Sequence, residues 1–297
     1  MRKLLCALLL GAAGLAAAQT VDRAQLLADV RTLAAPAFEG RRAGSAGSLR
    51  AQDYLVARLR EAGVVPFGAD YRQRFRLGPR LQAANLIGFI PGTGASERVL
   101  VVSAHYDHLG IWHGKLYPGA DDNASGVAGV LQVAAWLRAH PPAHTVWIVL
   151  FDAEEAGLKG AMEFFEHLPV PRERIGIDLN LDMIGRSAER ELYAVGTWRR
   201  RALKRFVEEG AAGASIKVLA GHDWPDTGED DWTLRSDAGV FHDEGLPYLS
   251  LSVEQHADYH GTGDIFEHID PDFLEQAALV AVRTALALDR GLDTIRR

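Results

Sequence analysis

The stretch VLVVSAH, residues 99–105, decides the fold class, because a continuous run of aliphatic residues ends there in a histidine. Two similar runs follow, VWIVLFD at 146–152 and IGIDLNLD at 175–182. Such runs are typical of strands that are covered on both faces, and segments with helical spacing lie between them. The sequence therefore predicts an α/β fold, a three-layer α/β/α sandwich with a central mixed, mostly parallel sheet.

The rest of the chain continues this alternation of strands and helices. Predicted strands lie at 84–90, 98–104, 145–151, 175–182, 191–196, 215–219 and 247–253. Predicted helices lie at 21–35, 46–62, 125–139, 157–167, 198–210, 236–244 and 271–289. The segment 221–235 has no period and is predicted to be a loop near the site. Its Trp224 and Trp232 either line a substrate pocket or only hold the loop against the body.

The first 18 residues have the pattern of a secretory signal peptide. A basic start, MRK, precedes the apolar core LLCALLLGAAGLA and the small residues AAA at 16–18. The apolar run is too short for a membrane anchor, so we expect no stable membrane insertion after cleavage. The sequence predicts that residues 19–297 form a single secreted or periplasmic domain. Cys6 is the only cysteine, so the mature protein would have neither a disulfide nor a thiol nucleophile.

The charge balance argues against one class of partner. The chain has 32 Lys and Arg residues against 39 Asp and Glu residues, a net charge of −7. No cluster of basic residues with interleaved aromatic residues offsets this acidity, so a nucleic-acid partner is not expected. The composition does not predict an oligomeric state.

Residue types that bind metals occur where predicted strands give way to turns. They are His105, Asp107, Asp121, Glu154, Glu155, Asp182 and His260. Strand ends converge at one edge of an open α/β sheet, so these residues can form one site. Histidine and carboxylate ligands without cysteine favour a divalent ion, and zinc first. Five ligands are too many for one catalytic zinc ion, which favours two ions that share a carboxylate.

Six blocks of the sequence, in their order and spacing, resemble the M28 family of zinc aminopeptidases. The blocks are HYDHLG, PGADDNASG, FDAEEAGLKGA, NLDMIG, RSDAGVF and DYHGTGD. The segment 39–64 also resembles the beginning of the family's domain, so the match extends over nearly all of the mature chain. The resemblance implies that His105, Asp121 and Asp182 bind one zinc ion. It implies that Asp121, Glu155 and His260 bind the other.

The resemblance also implies an activity, which is hydrolysis of the N-terminal peptide bond of peptides with a free N-terminus. A hydroxide that bridges the two zinc ions would attack the scissile carbonyl, with Glu154 as the general base. Asp107 would accept the second N–H of His105. In relatives with the Gly-Ala-Asp-Asp motif the bond after the bridging aspartate is cis, so the bond between Asp121 and Asp122 is expected to be cis. Some relatives have histidine where this chain has Ala238, so side-chain specificity is not transferred.

Two other functions remain open from the sequence. A glutaminyl cyclase has a similar fold and reaction centre but uses one zinc ion, bound by the equivalents of Asp121, Glu155 and His260. His105 and the GADDNASG block favour hydrolysis over cyclisation. The non-enzymatic alternative is a metal-dependent binding module on an inactive peptidase scaffold. The presence of every ligand and of the base argues against it.

Overall fold

A computed structural model describes residues 19–296 of the chain. The predicted signal peptide and Cys6 lie outside the described residues. The helices are α1 (Arg23–Leu33), α2 (Ala46–Glu61), α3 (Gly126–Ala139), α4 (Lys159–Glu166), α5 (Lys204–Ala211), α6 (Ala238–Asp243) and α7 (Pro271–Gly291). The strands are β1 (Val65–Pro66), β2 (Arg72–Leu77), β3 (Leu81–Ile90), β4 (Val99–His105), β5 (Gly110–Trp112), β6 (Lys115–Tyr117), β7 (Thr145–Phe151), β8 (Ile175–Leu181), β9 (Glu191–Val195), β10 (Lys217–Ala220) and β11 (Tyr248–Ser252).

A nine-stranded mixed sheet forms the middle of the domain, with the order β1-β3-β7-β4-β8-β11-β9-β10 and β2 paired to β3. The central strands β7, β4, β8 and β11 run parallel to one another. Strand β3 pairs with β7 in antiparallel orientation, and β9 pairs with β11 in the same way. The predicted mixed sheet is confirmed, and its four adjacent parallel strands form the centre.

Helices cover both faces of the sheet, which confirms the three-layer architecture. The alternation along β7 shows this directly: Val146, Ile148 and Leu150 belong to one core cluster, and Trp147, Val149 and Phe151 to the other. The larger cluster lies under α1, α2, α3, α5 and α7, and the smaller one lies under α4 and α6. Every side chain from Val146 to Phe151 is therefore buried, as expected of a strand between two helical layers.

Local capping explains where several helices begin. The Asp22 carboxylate accepts the N–H of Gln25 at the start of α1, and Asp270 accepts the N–H groups of Asp272 and Phe273 at the start of α7. Such side-chain oxygens satisfy N–H groups that have no partner within the helix. No helix within residues 19–296 is long and apolar enough to span a bilayer.

The structure contains four strands that the sequence did not predict. Strands β1 and β2 precede β3, and β5 and β6 form a separate two-stranded hairpin. The hairpin begins five residues after His105 and carries Trp112, half of whose surface is exposed. Its position matters because it forms part of the wall beside the candidate site.

Candidate metal centre

Strand ends position three of the predicted residues at one edge of the sheet. His105 is the last residue of β4, Glu155 lies in the turn after β7, and Asp182 directly follows β8. These strands are neighbours in the sheet, so their carboxyl ends place the three side chains together. The Nε2 atom of His105 lies 3.3 Å from the Oδ1 atom of Asp182. His260 reaches the same edge from the loop after β11.

Asp122 lies at the middle of this group. Its Oδ1 atom is 3.4 Å from Nε2 of His105, and its Oδ2 atom is 3.2 Å from Nε2 of His260. Nε2 of His260 is also 3.2 Å from Oε2 of Glu155. One carboxylate therefore faces two sets of donors, with His105 and Asp182 on one side and Glu155 and His260 on the other. Each set offers the nitrogen and oxygen donors that suit zinc.

The carboxylate that lies between the two donor sets is that of Asp122, whereas the sequence predicted Asp121 for this position. The carboxylate of Asp121 points away from the group, where its Oδ1 atom accepts the Ser125 hydroxyl at 2.9 Å and the Gly185 N–H at 2.6 Å. Its Oδ2 atom lies 3.2 Å from Nε2 of His256. These contacts occupy the Asp121 carboxylate, which leaves the next residue to face the donors. A Cβ at Gly185 would come within 2.7 Å of Asp121 Oδ1, so this contact requires glycine.

The backbone of this segment also differs from the expectation. The cis peptide bond lies between Asp122 and Asn123, and not between Asp121 and Asp122. The Asn123 side chain joins the segment to the end of β8, because it donates to the Leu181 carbonyl at 2.9 Å and accepts the Met183 N–H at 3.0 Å. These two hydrogen bonds enclose Asp182 and hold it beside Asp122.

Two buried charged side chains fix the loop that carries Asp122. The Asp264 carboxylate accepts the N–H of Asp121 at 2.9 and 3.1 Å and the N–H of Asp122 at 3.0 Å. Arg41 donates to the carbonyls of Tyr106, Leu33, Pro118 and Gly119. Burial lowers the pKa of Arg41 to about 10, so the guanidinium stays charged at neutral pH beside the acidic group. The sequence did not single out either residue.

Asp107 organises two neighbours of the group. Nδ1 of His105 lies 3.2 Å from the backbone carbonyl of Asp107 and 3.7 Å from its carboxylate. The carbonyl, and not the predicted carboxylate, is thus the closer acceptor for the second N–H of His105. In neutral His105 this contact would place the proton on Nδ1 and leave Nε2 available to a metal. The carboxylate instead accepts the N–H of Glu154 at 3.0 Å, which orients the turn that carries both glutamates.

The buried charges shift the acidities of the group. Burial raises the pKa of Glu154 well above its usual range, and the nearby carboxylates of Asp237 and Asp182 raise it further. Burial opposes the charge on His105, yet Glu154 and Asp182 raise its pKa well above the usual value. Hydrogen bonds to Asp122 and Glu155 raise the pKa of His260 to about 10. Neighbouring carboxylates contribute to all three shifts, and bound cations would relieve this excess of negative charge.

Two further residues of the site were not assigned from the sequence. His108 is fully buried, and its Nδ1 atom lies 2.7 Å from Oε1 of Glu155 and 3.7 Å from Oδ2 of Asp122. The HYDH block carries a signal for it, because a second histidine follows His105 by three positions. Asp237 is buried, and its carboxylate forms no hydrogen bond with any of the described residues. Burial raises its pKa to about 8, and the acidic neighbours Asp107 and Asp182 contribute in the same direction.

Two cavities flank the group on opposite sides. The smaller one is bordered by Asp182, Met183, Tyr259 and Trp232. Trp232 thus lines a pocket beside the site, while Trp224 packs against Trp198 with ring centroids 5.5 Å apart. The larger cavity, of about 440 Å³, opens at Glu155 and His260.

The chain is similar in sequence to known proteins. The model of peptidase family M28 matches residues 85–285. The chain is 30% identical over 215 residues to aminopeptidase YwaD of Bacillus subtilis, covering 67% of this chain and 44% of that protein. The chain therefore spans less than half the length of this curated relative.

Solved structures share the fold. A glutaminyl cyclase from Bacteroides thetaiotaomicron has a TM-score of 0.73 and 18% identity, and the match covers 90% of this chain and 98% of that one. A zinc aminopeptidase from Bacillus subtilis, BSAP, has a TM-score of 0.70 and 17% identity, with 88% and 94% covered. At these identities the likeness concerns the fold alone.

Proposed function

The chain belongs to peptidase family M28, and we propose that it is an aminopeptidase that depends on two zinc ions. The observation that carries the proposal is the position of Asp122 between two sets of metal ligands, with Glu154 beside them. The aminopeptidase named among its relatives supports the same reaction. The substrates would be peptides with a free N-terminus.

The donor set fits a pair of zinc ions. His105, Asp122 and Asp182 would hold one ion. Asp122, Glu155 and His260 would hold the other, with His108 adjacent to it, 2.7 Å from Glu155. Three carboxylates carry a charge of −3 and two zinc ions carry +4, so the loaded group would have a net charge of +1. Bound zinc would polarise the scissile carbonyl and make a coordinated water a better nucleophile.

The residues of the chain supply the remaining functions. Glu154 is held at the group by the hydrogen bond from its N–H to Asp107, and its pKa is raised by burial. Such a carboxylate can accept a proton from the attacking water and transfer it to the leaving amine. Glu155, the adjacent residue, faces His260 and so serves as a ligand. One turn after β7 thus provides both a proton carrier and a ligand.

The second candidate is a cyclase that acts on N-terminal glutamine. It is a candidate because a solved glutaminyl cyclase has a similar fold. His105 separates the two candidates, because it lies 3.4 Å from Asp122 and completes the first ligand set. A single-zinc cyclase has no need for that set. We also propose, from the sequence pattern alone, that the protein is secreted after removal of residues 1–18.

The test is activity of the zinc-loaded protein on two substrate panels. The first is a set of aminoacyl amides with different N-terminal residues, and the second is a set of peptides that begin with glutamine. We expect release of free amino acids from the first panel and no pyroglutamate from the second. Cyclisation without hydrolysis would favour the cyclase, and no reaction in either panel would favour a binding module. N-terminal sequencing of the exported protein tests cleavage after residue 18.

A further inference from the structure

The larger cavity beside the metal centre has an apolar wall that does not belong to the ligand group. Leu77 at the end of β2, Leu81 at the start of β3 and Trp112 of β5 form this wall. The volume of about 440 Å³ falls within the roughly 300–1,000 Å³ of small-ligand sites. Its floor reaches Glu155 and His260, so a molecule bound there would extend to the metal centre.

The wall is exposed although it consists of large apolar side chains. Leu81 is 48% exposed and Trp112 is 51% exposed, and Ile111 next to Trp112 is 52% exposed. Adjacent exposed apolar residues at the rim of a polar site indicate a surface that a ligand covers. An apolar or aromatic side chain would remove this area from water.

A positively charged side chain lines the same cavity. Arg42 lines it, and within residues 19–296 its guanidinium forms no ion pair. The guanidinium lies over the Trp112 ring, 5.4 Å from the ring centroid. The backbone at Gly110 packs closely beside it, because a Cβ there would come within 2.5 Å of the Cβ of Arg42. A guanidinium placed in this way is suited to a carboxylate, which it can bind through two N–H groups.

Among the described residues, the opposite cavity offers a carboxylate no cation without an ion-pair partner. Its border includes the Asp182 carboxylate, and the guanidinium of Arg235 there is paired with Glu229. A short peptide carries an ammonium group at one end and a carboxylate at the other. Because Asp182 would be bound to zinc, Arg42 decides the orientation of the peptide. The C-terminal carboxylate would lie toward Arg42, and the N-terminal residue toward the opposite cavity.

We propose that the cavity formed by Leu77, Leu81 and Trp112 is the subsite for the C-terminal residue of dipeptides, whose free carboxylate binds Arg42. The inference rests on the proposed aminopeptidase function. Such a subsite makes the enzyme selective for short peptides with an apolar or aromatic residue after the scissile bond. Long peptides and amidated peptides would lack the carboxylate at this position.

The test compares kcat/KM for Leu-Phe and for its amide, Leu-Phe-NH2, on the zinc-loaded protein. A lost charge-assisted hydrogen bond corresponds to roughly tenfold or more, so the free acid should be preferred by at least that factor. Arg42→Gln should bring the ratio of acid to amide close to one. Arg201→Gln is the matched control, because Arg201 is exposed and lies just before α5, whose neighbouring strands are at the other end of the sheet. It should keep the preference of the unaltered protein.

A second variant and a binding measurement complete the design. Trp112→Ala should reduce the preference for Leu-Phe over Leu-Ala. In a Glu154→Gln background, calorimetry with Leu-Phe should show weaker binding when Arg42→Gln is added. Equal kcat/KM for acid and amide in the unaltered protein, or a preference that survives Arg42→Gln, would overturn the inference while leaving the aminopeptidase function intact. If no peptide or amide is hydrolysed, the proposed function itself fails.

Discussion

Asp264 offers the sharpest test of how the loop positions Asp122. Its buried carboxylate accepts the N–H groups of Asp121 and Asp122 at 2.9–3.1 Å. Asp264→Asn keeps the shape of the side chain but turns one acceptor oxygen into an NH2 group that faces an N–H. We expect the loss of at least one hydrogen bond to a charged acceptor, about 1.5–3 kcal/mol. The melting temperature should fall by roughly 3–12 °C for a domain of this size.

The same substitution should weaken zinc binding. Groups that orient metal ligands typically contribute about 10–100-fold to metal affinity or activity, and we expect a loss in that range from chelator competition. Asp289→Asn is the matched control, because the Asp289 carboxylate accepts two successive N–H groups, of Ala143 at 2.8 Å and His144 at 2.7 Å. These precede β7, at the sheet edge opposite the site. The control should lose stability but keep zinc affinity. Equal zinc affinity in both variants would refute the reasoning.

Three further predictions concern the same site. Arg41→Lys should lower the free energy of unfolding by about 3 kcal/mol or more, because a lysine loses at least two charge-assisted hydrogen bonds of about 1.5 kcal/mol each. A change below about 1 kcal/mol in chemical denaturation would contradict this role. Asp122→Asn should remove bound zinc, whereas Asp121→Asn should keep the metal content and lower the melting temperature. The reverse pattern in elemental analysis would restore the assignment made from the sequence. Glu154→Gln should reduce kcat by roughly 10²–10⁴-fold with the metal content intact, whereas Glu155→Ala should lose metal. Equal metal loss in both variants would show that the two roles are wrongly divided.

The sequence predicted the central strands because their signal is strong and local. The run at 145–151 matches β7 residue for residue, since helices cover both faces and nearly every position is apolar. Strand β2, with the sequence RQRFRL, was missed because most of its side chains are polar and only partly buried. The β5–β6 hairpin was missed because each strand has three residues. A run that short has no detectable period.

The position of the site followed from the strand ends, but the choice between two adjacent aspartates did not. Nothing in the motif GADDNASG indicates which carboxylate turns inward. That choice depends on contacts from distant parts of the chain, because the Gly185 N–H binds the Asp121 carboxylate and Asp264 holds both backbone N–H groups. Ser125, which also binds Asp121, lies within the motif. Arg41 and Asp264 were missed for the same reason. Their partners are backbone atoms brought close only by the fold.

The central claim is that two zinc ions bind here and share Asp122. The most direct measurement is a crystal structure of the zinc-loaded protein with anomalous data recorded at the zinc edge, combined with elemental analysis of the same sample. We expect two zinc ions per chain, roughly 3.5–4 Å apart as in other two-metal sites, each bound by one oxygen of Asp122. A single fully occupied ion, or two ions of which one does not contact Asp122, would contradict it.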